Sequence, residues 1–291
     1  MTSSKSEWLF GKEIGERIGY GAGNYAAYDA RFIVSPKRVP AVMKAALAEC
    51  RRLTLQHITM PPDESVELEY VVHKPWSAFS SYKGNNHSVI EVNLELPLTV
   101  DRLLDLACHE GYPGHHVFNT LRDQSVVKRM GFREGQVQLT FSPQSFVSEA
   151  AASYAPEMVL DEPTRIQIER NLLFPAAGLK TDDVERYIHV QRLIESLHSA
   201  EPGIAREYLD GRLEFVRALG ALEHELLMEH GESTLLYLNE YRSYMLTYTV
   251  GKDLVERCVE QGAKEPVSRW MRYQKLMTQP ENNLSYCAHH V

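Results

Sequence analysis

The stretch Asp101-Arg-Leu-Leu-Asp-Leu-Ala-Cys-His-Glu-Gly-Tyr-Pro-Gly-His-His-Val-Phe118 decides how this chain is read. It opens as an amphipathic helix and places His109 and Glu110 on the polar face. Two histidines on one helical face, with a Glu directly after the first, form a zinc-dependent hydrolytic site in which that Glu is the general base. In the usual spacing the second His follows at i+4, about 40° around the helix from the first. Here that position is Pro113. On a straight helix His115 would stand about 120° from His109, on the wrong face. His116 would return to the right face but about 10 Å along the axis, too far to share one ion whose Zn–N bonds are about 2.0–2.1 Å. Pro113 removes a backbone donor and Gly114 admits unusual dihedrals, so a two-residue bulge at Pro-Gly is expected, bringing His115 into the second ligand position. His116 is the competing assignment.

Working outward, helical periodicity dominates. Val42, Met43, Leu47, Cys50 and Leu53 form an apolar stripe over Pro40 to His57. A second helix is predicted from Thr181 to His198, with Asp182 and Asp183 in its first turn. Two long helical stretches are predicted over 204–230 and 233–261, separated by Gly231 and with Gly251 marking close packing or a bend. Strands are expected at Val66–His73, at Ser88–Leu96 and, more weakly, at Gln136–Phe141. The fold class read from this pattern is mainly α (α+β): a zincin-like helical domain with a small β-sheet beside the metal-binding helix. One domain is expected over residues 1–291. The strand at 88–96 is also a candidate edge strand that could pair with an extended substrate.

Composition narrows the function classes. A formal charge of −8 over 291 residues, with no Lys/Arg cluster, argues against nucleic-acid binding. Hydrophobic residues at 44% and charged residues at 24% are ordinary for a soluble globular protein. No stretch approaches the roughly 20 apolar residues needed to span a bilayer, so no membrane partner is expected. Cys50, Cys108, Cys258 and Cys287 form no CxxC pair and read as reduced thiols. With an N-terminus lacking the apolar core of a signal peptide, the expected location is cytoplasmic. No phosphate loop or G-x-S-x-G elbow is present in the sequence. The run Leu222-Glu-His-Glu225, with His230 beyond it, reads as a solvated polar face.

The string His109-Glu110-Gly-Tyr112-Pro113-Gly114-His115-His116 resembles the signature of a large bacterial family, domain of unknown function 885, placed among the gluzincins and similar to a stretched carboxypeptidase Taq motif. Three further segments match in the same order. Glu91-Val-Asn93 with Pro97 resembles the strand leading into the metal helix. Ser148-Glu149-Ala-Ala-Ala-Ser-Tyr154-Ala155 resembles a Glu-Gly-Trp-Ala-Leu-Tyr-Ala-Glu stretch whose first Glu is a metal ligand. Tyr244-Met-Leu-Thr-Tyr248-Thr-Val-Gly251 is similar to a Gln-Ala-x-Ser-Tyr-x-x-Gly motif. The chain departs from the pattern at Ala150 and Ala151, which stand for Gly-Trp, and at Pro156, which stands for the second Glu. Family members are often longer, which implies that an N-terminal region of theirs is lacking here.

The resemblance implies zinc held by His109, His115 and Glu149, with a fourth position open for water, as a catalytic zinc requires. Glu110 is then the base, passing its proton to a leaving amine, and Tyr248 a donor to the oxyanion. Tyr112 reads as a packing residue. The expected function is a zinc-dependent hydrolase of amide bonds, a metallopeptidase acting on a peptide-like substrate. A catalytically inactive zincin-fold binding protein is the alternative from another class. Endo- against exo-action and oligomeric state stay open.

Overall fold

The computed structural model describes residues 23–137, 139–261 and 265–279. The N-terminal segment, Cys287, His289 and His290 therefore lie outside the described residues. The described residues are mainly helical with one three-stranded sheet. It divides into two compact units, residues 34–179 with 250–291 and residues 1–33 with 180–249, where the sequence reading expects one domain.

The first unit carries the sheet and the His-Glu segment. Helix α1 (Val39–Thr54) has Pro40 in its first turn, where a missing N–H costs nothing, and buries Val42, Met43, Ala46, Leu47 and Cys50. Strands β1 (Ser65–Val71), β2 (Ala78–Gly84) and β3 (His87–Asn93) form a sheet in the order β1-β3-β2. β1 runs parallel to β3 and β2 antiparallel to it, with Ser80 opposite Ile90 and Val66 opposite Ser88.

β3 is thus the central strand, hydrogen-bonded on both sides, and cannot accept a substrate as an edge. That corrects the edge-strand expectation for 88–96: its apolar run of Val89, Ile90 and Val92 marks burial on both faces, a sign of the middle of a sheet. β2 was not expected, because Ala-Phe-Ser-Ser-Tyr-Lys-Gly carries few strong strand formers. Its signal was the turn that follows. Asn85 and Asn86 both adopt positive φ, +50° and +61°, the backbone of a tight hairpin that Asn tolerates. The third strand candidate fails among the described residues: Arg133–Gln136 is a 3₁₀ turn and residues 137 and 139 belong to no strand, while Gln138 lies outside the description.

Helix α2 (Val100–Leu106) leads into the His-Glu segment, and α3 (His115–Arg122) follows it. Helix α4 (Pro143–Val159) is capped by Ser142, whose side chain accepts from the Ser145 N–H at 3.1 Å. Its Ala150, Ala151, Ala152 and Ala155 are buried, and their small side chains let neighbouring backbone approach. Helices α5 (Val250–Glu260) and α6 (Pro266–Thr278) pack against it, and Gly251 lies inside α5, buried.

The second unit is helical among its described residues. Its helices run over Gly23–Asp29, Val184–His198, Glu201–Leu209, Phe215–Gly220 and Gly231–Tyr241. The long stretches expected over 204–230 and 233–261 are broken. Gly211 turns the chain at φ +73°, and Leu227 and Arg242 also take positive φ. Gly231 begins a helix where a Cβ would approach Glu223 and Leu219 at 2.9 and 3.1 Å, so close packing accounts for it. Ala205, Ala218, Leu222, Leu226, Leu235 and Leu238 form the core of this unit.

One charged cluster is buried in the first unit. Arg165 pairs with Asp105 and donates through Nη1 to Glu169 at 3.3 Å. Burial pushes the fully buried Glu169 up to about 8; Arg165 opposes this, but Asp101 and Asp105 add to it. Asp105 takes the Arg165 charge and Glu169 keeps its proton. The folded state then binds that proton more tightly than the unfolded chain, so stability is greatest below the ordinary value of 4.5 and is lost as pH rises through 8. Glu169→Gln is expected to flatten that decline and to melt higher than wild type at about pH 9. Thermal unfolding across this range checks it; identical pH profiles would remove Glu169 as the source.

Candidate metal centre

The site is built where a helix is interrupted. After α2 the backbone widens into a π turn, Ala107–Gly111, closed by the Tyr112 N–H on Ala107 O at 3.3 Å. Tyr112 is extended, the Tyr112–Pro113 bond is cis, and α3 restarts at His115 with Gly114 as its N-cap. The expected bulge is therefore larger than a Pro-Gly insertion, a π turn plus a three-residue break. Gly114 donates its N–H to Cys108 O at 3.0 Å, and a Cβ there would lie 1.8 Å from His109 O. No other residue fits that approach without moving the backbone.

The break brings His109 and His115 edge to face, their ring centroids 4.8 Å apart. Glu149, from α4, meets both: Oε1 lies 3.1 Å from His109 Nε2 and Oε2 3.4 Å from His115 Nε2. One donor atom from each of the three lies within 4.8 Å of the others, and it is the one such group among the described residues. Donors bound tetrahedrally at about 2.0–2.1 Å stand roughly 3.3–3.5 Å apart, so the separations of 3.1 and 3.4 Å from the carboxylate to the two imidazoles are those of a group that could hold a metal ion. Burial pushes the Glu149 carboxyl up, but the two imidazoles beside it outweigh this and hold it well below the usual range. Burial pulls His115 down, and Glu149, with the charge of Glu110 behind it, raises it on balance. Ser148 Oγ lies 3.3 Å from His115 Nδ1, a partner that orients the ring. Glu110 is buried in the π turn beside His109.

His116, the competing ligand, faces elsewhere. It is fully buried with Nε2 2.9 Å from Glu64 Oε2, and Ser88 Oγ lies 2.8 Å from its Nδ1. Tyr112 donates to the same Glu64 oxygen, while Arg51 Nε donates to the other at 2.8 Å. Burial pushes Glu64 up, but hydrogen bonds from His116, Tyr112 and Arg51 hold it at about 2. Glu64 thus clamps the residues on both sides of Pro113-Gly114. Sequence reasoning missed it, because a single Glu before β1 carries no periodic or motif signal. Tyr273 of α6 was missed for the same reason; its hydroxyl donates to Ala151 O at 2.9 Å and reaches Pro113 O at 3.4 Å.

Tyr248 belongs to the other unit, where it follows the 3₁₀ segment Arg242–Thr247 and its ring stands 6.4 Å from Tyr244. It is not among the three residues gathered here. His224 lies in a π turn with Glu223 and Glu225, and no metal-ligating group forms there among the described residues.

No family model and no curated protein sequence matches the chain. A solved structure described as "the putative lipoprotein from Colwellia psychrerythraea" shares the fold, with a TM-score of 0.61 at 13% identity. The match covers 100% of this chain and 52% of that one, so the chain spans about half the length of the protein it matches. No helix among the described residues is long and apolar enough to cross a membrane.

Two sequence expectations are corrected. The cysteines are not all reduced: Cys50 of α1 and Cys108 of the π turn form a disulfide with Cα atoms 5.5 Å apart, and Cys258 is also disulfide-bonded. Spacing in sequence could not reveal a pairing across 58 residues. The cytoplasmic location falls as well, since the matching protein is described as a lipoprotein, a class held outside the cytoplasm, and disulfides persist in oxidising compartments. The unreduced, alkylated protein is expected to keep Cys50 and Cys108 unlabelled on mass analysis. Cys50→Ala should lose about 2–4 kcal/mol of stability, the effect of opening a long loop. Full labelling of both cysteines in the native protein would refute the pairing.

Proposed function

We propose that this chain is a zinc-dependent hydrolase of amide bonds, a metallopeptidase of gluzincin type acting on peptide-like substrates. The observation that carries the reading is the convergence of His109 Nε2, His115 Nε2 and the Glu149 carboxylate, with Glu110 beside them. His109, His115 and Glu149 would hold the zinc, which would polarise a carbonyl as a Lewis acid and lower the pKa of a water towards 7. Glu110 takes the proton of the attacking water on its carboxylate and returns it to the leaving amine. Ser148 fixes the His115 ring, and the Glu64 clamp keeps the turn that sets His115 against His109. For Tyr248, the resemblance of its segment to the family of domain of unknown function 885 is what suggests an oxyanion donor. Because β3 is central, an extended substrate would add to β2, the edge strand in contact with the π turn and α3. An extracytoplasmic or anchored setting accords with the disulfide Cys50–Cys108.

Metal content by elemental analysis, on protein purified without chelators, tests the reading. Wild type is expected to hold about one zinc per chain. Glu149→Ala and His115→Ala should lose it, and His116→Ala should keep it. Glu110→Gln should retain zinc while peptide hydrolysis falls about 10²–10⁴-fold. Wild type without metal after zinc is added back, or zinc lost in His116→Ala and kept in His115→Ala, would overturn the assignment.

A further inference from the structure

A second site lies at the other end of α3. Arg122, in the last turn, is 4% exposed. It stands seven residues from His115, about 10 Å along the helix. Its Nη1 donates to Gln279 O at 3.1 Å and its Nη2 to Gln144 Oε1 at 3.4 Å, both neutral acceptors. Its Nε is buried without a partner among the described residues. Burial lowers its pKa, with no neighbouring charge opposing the shift. Buried charges are ordinarily paired, and a guanidinium offers five donors, so this one is short of an anion.

Arg122 and Gln144 line a cavity of about 310 Å³. Its walls include Val126, Phe132, Val137 and Leu139, and the last three are exposed large apolar side chains. Glu134 also borders it, exposed, and makes no ion pair with Arg122. Apolar walls around a buried guanidinium, with Glu134 exposed at the rim, are the make-up of a small-molecule site open to solvent, and this volume is at the lower end of the usual range of about 300–1,000 Å³.

We propose that this pocket binds a carboxylate carried on a compact apolar body, the size of an N-acylated leucine, with Arg122 on the carboxylate and the apolar walls around the side chain. A guanidinium receives a carboxylate through two parallel hydrogen bonds, which suits an Arg with donors to spare. The site shares no residue with the metal centre, and the proposal stands whether or not zinc binds.

Titration calorimetry with N-acetyl-leucine, N-acetyl-leucinamide and octanoate tests it on the full chain. Acetyl-leucine is expected to bind saturably, and its uncharged amide at least tenfold more weakly. Arg122→Gln should lose at least tenfold in affinity for the acid. Leu139→Asp, at an exposed wall position where folding is unaffected, should do the same by placing a like charge against the ligand. Octanoate binding more tightly than acetyl-leucine would support the anion site and assign its source to an acyl chain. Equal binding of acid and amide, no saturable binding of either acid, or wild-type affinity in a folded Leu139→Asp would overturn the proposal.

Discussion

Everything at the candidate metal centre depends on a close approach of backbone to backbone at Gly114. Because a Cβ at that position would sit 1.8 Å from His109 O, the chain can fold back on the preceding turn there with glycine alone. The interruption that results lets a histidine six residues after the first reach the same carboxylate. On an unbroken helix the two rings would diverge by about 120°. The π turn before the break widens the helix, and the extended Tyr112 resets the direction in which α3 begins.

Such a break exposes polar backbone and must be held from outside. Glu64 does much of this, accepting from Tyr112 on one side of the break, meeting His116 on the other and receiving Arg51 from α1. Tyr273 reaches Pro113 O and Ala151 O, linking the turn to α4 and so to the helix that carries Glu149. The disulfide between Cys50 and Cys108 ties α1 to the residue preceding His109. Each support comes from a different element, so the arrangement of His109, His115 and Glu149 is a property of the whole unit. The adjacent histidines illustrate the division of labour: His115 faces Glu149, while His116 is sealed in the core.

α3 and α4 meet at two levels, His115 with Ser148 and Arg122 with Gln144. The pairing runs antiparallel, since α4 is read backwards as α3 advances. At one level the contact presents two imidazoles and a carboxylate; at the other it leaves a buried guanidinium short of an anion. One helix pair therefore supports two polar environments of opposite demand.

Much of this was legible in sequence. The mainly helical class, β1 and β3, the helix at 39–54 and the grouping of His109, His115 and Glu149 follow from periodicity, the Pro-Gly break and a motif resemblance, all of which are local or ordered signals. Tertiary structure alone decided the rest. β3 is central because a weakly patterned strand, β2, folds back on it through Asn85-Asn86. Cys50 and Cys108 pair because α1 packs on the π turn, which no spacing announces. Glu64 and Arg122 take their roles from what surrounds them, one saturated with donors and one lacking an anion. Their residue types say nothing of this, because burial and partners are set by contacts between segments far apart in the chain.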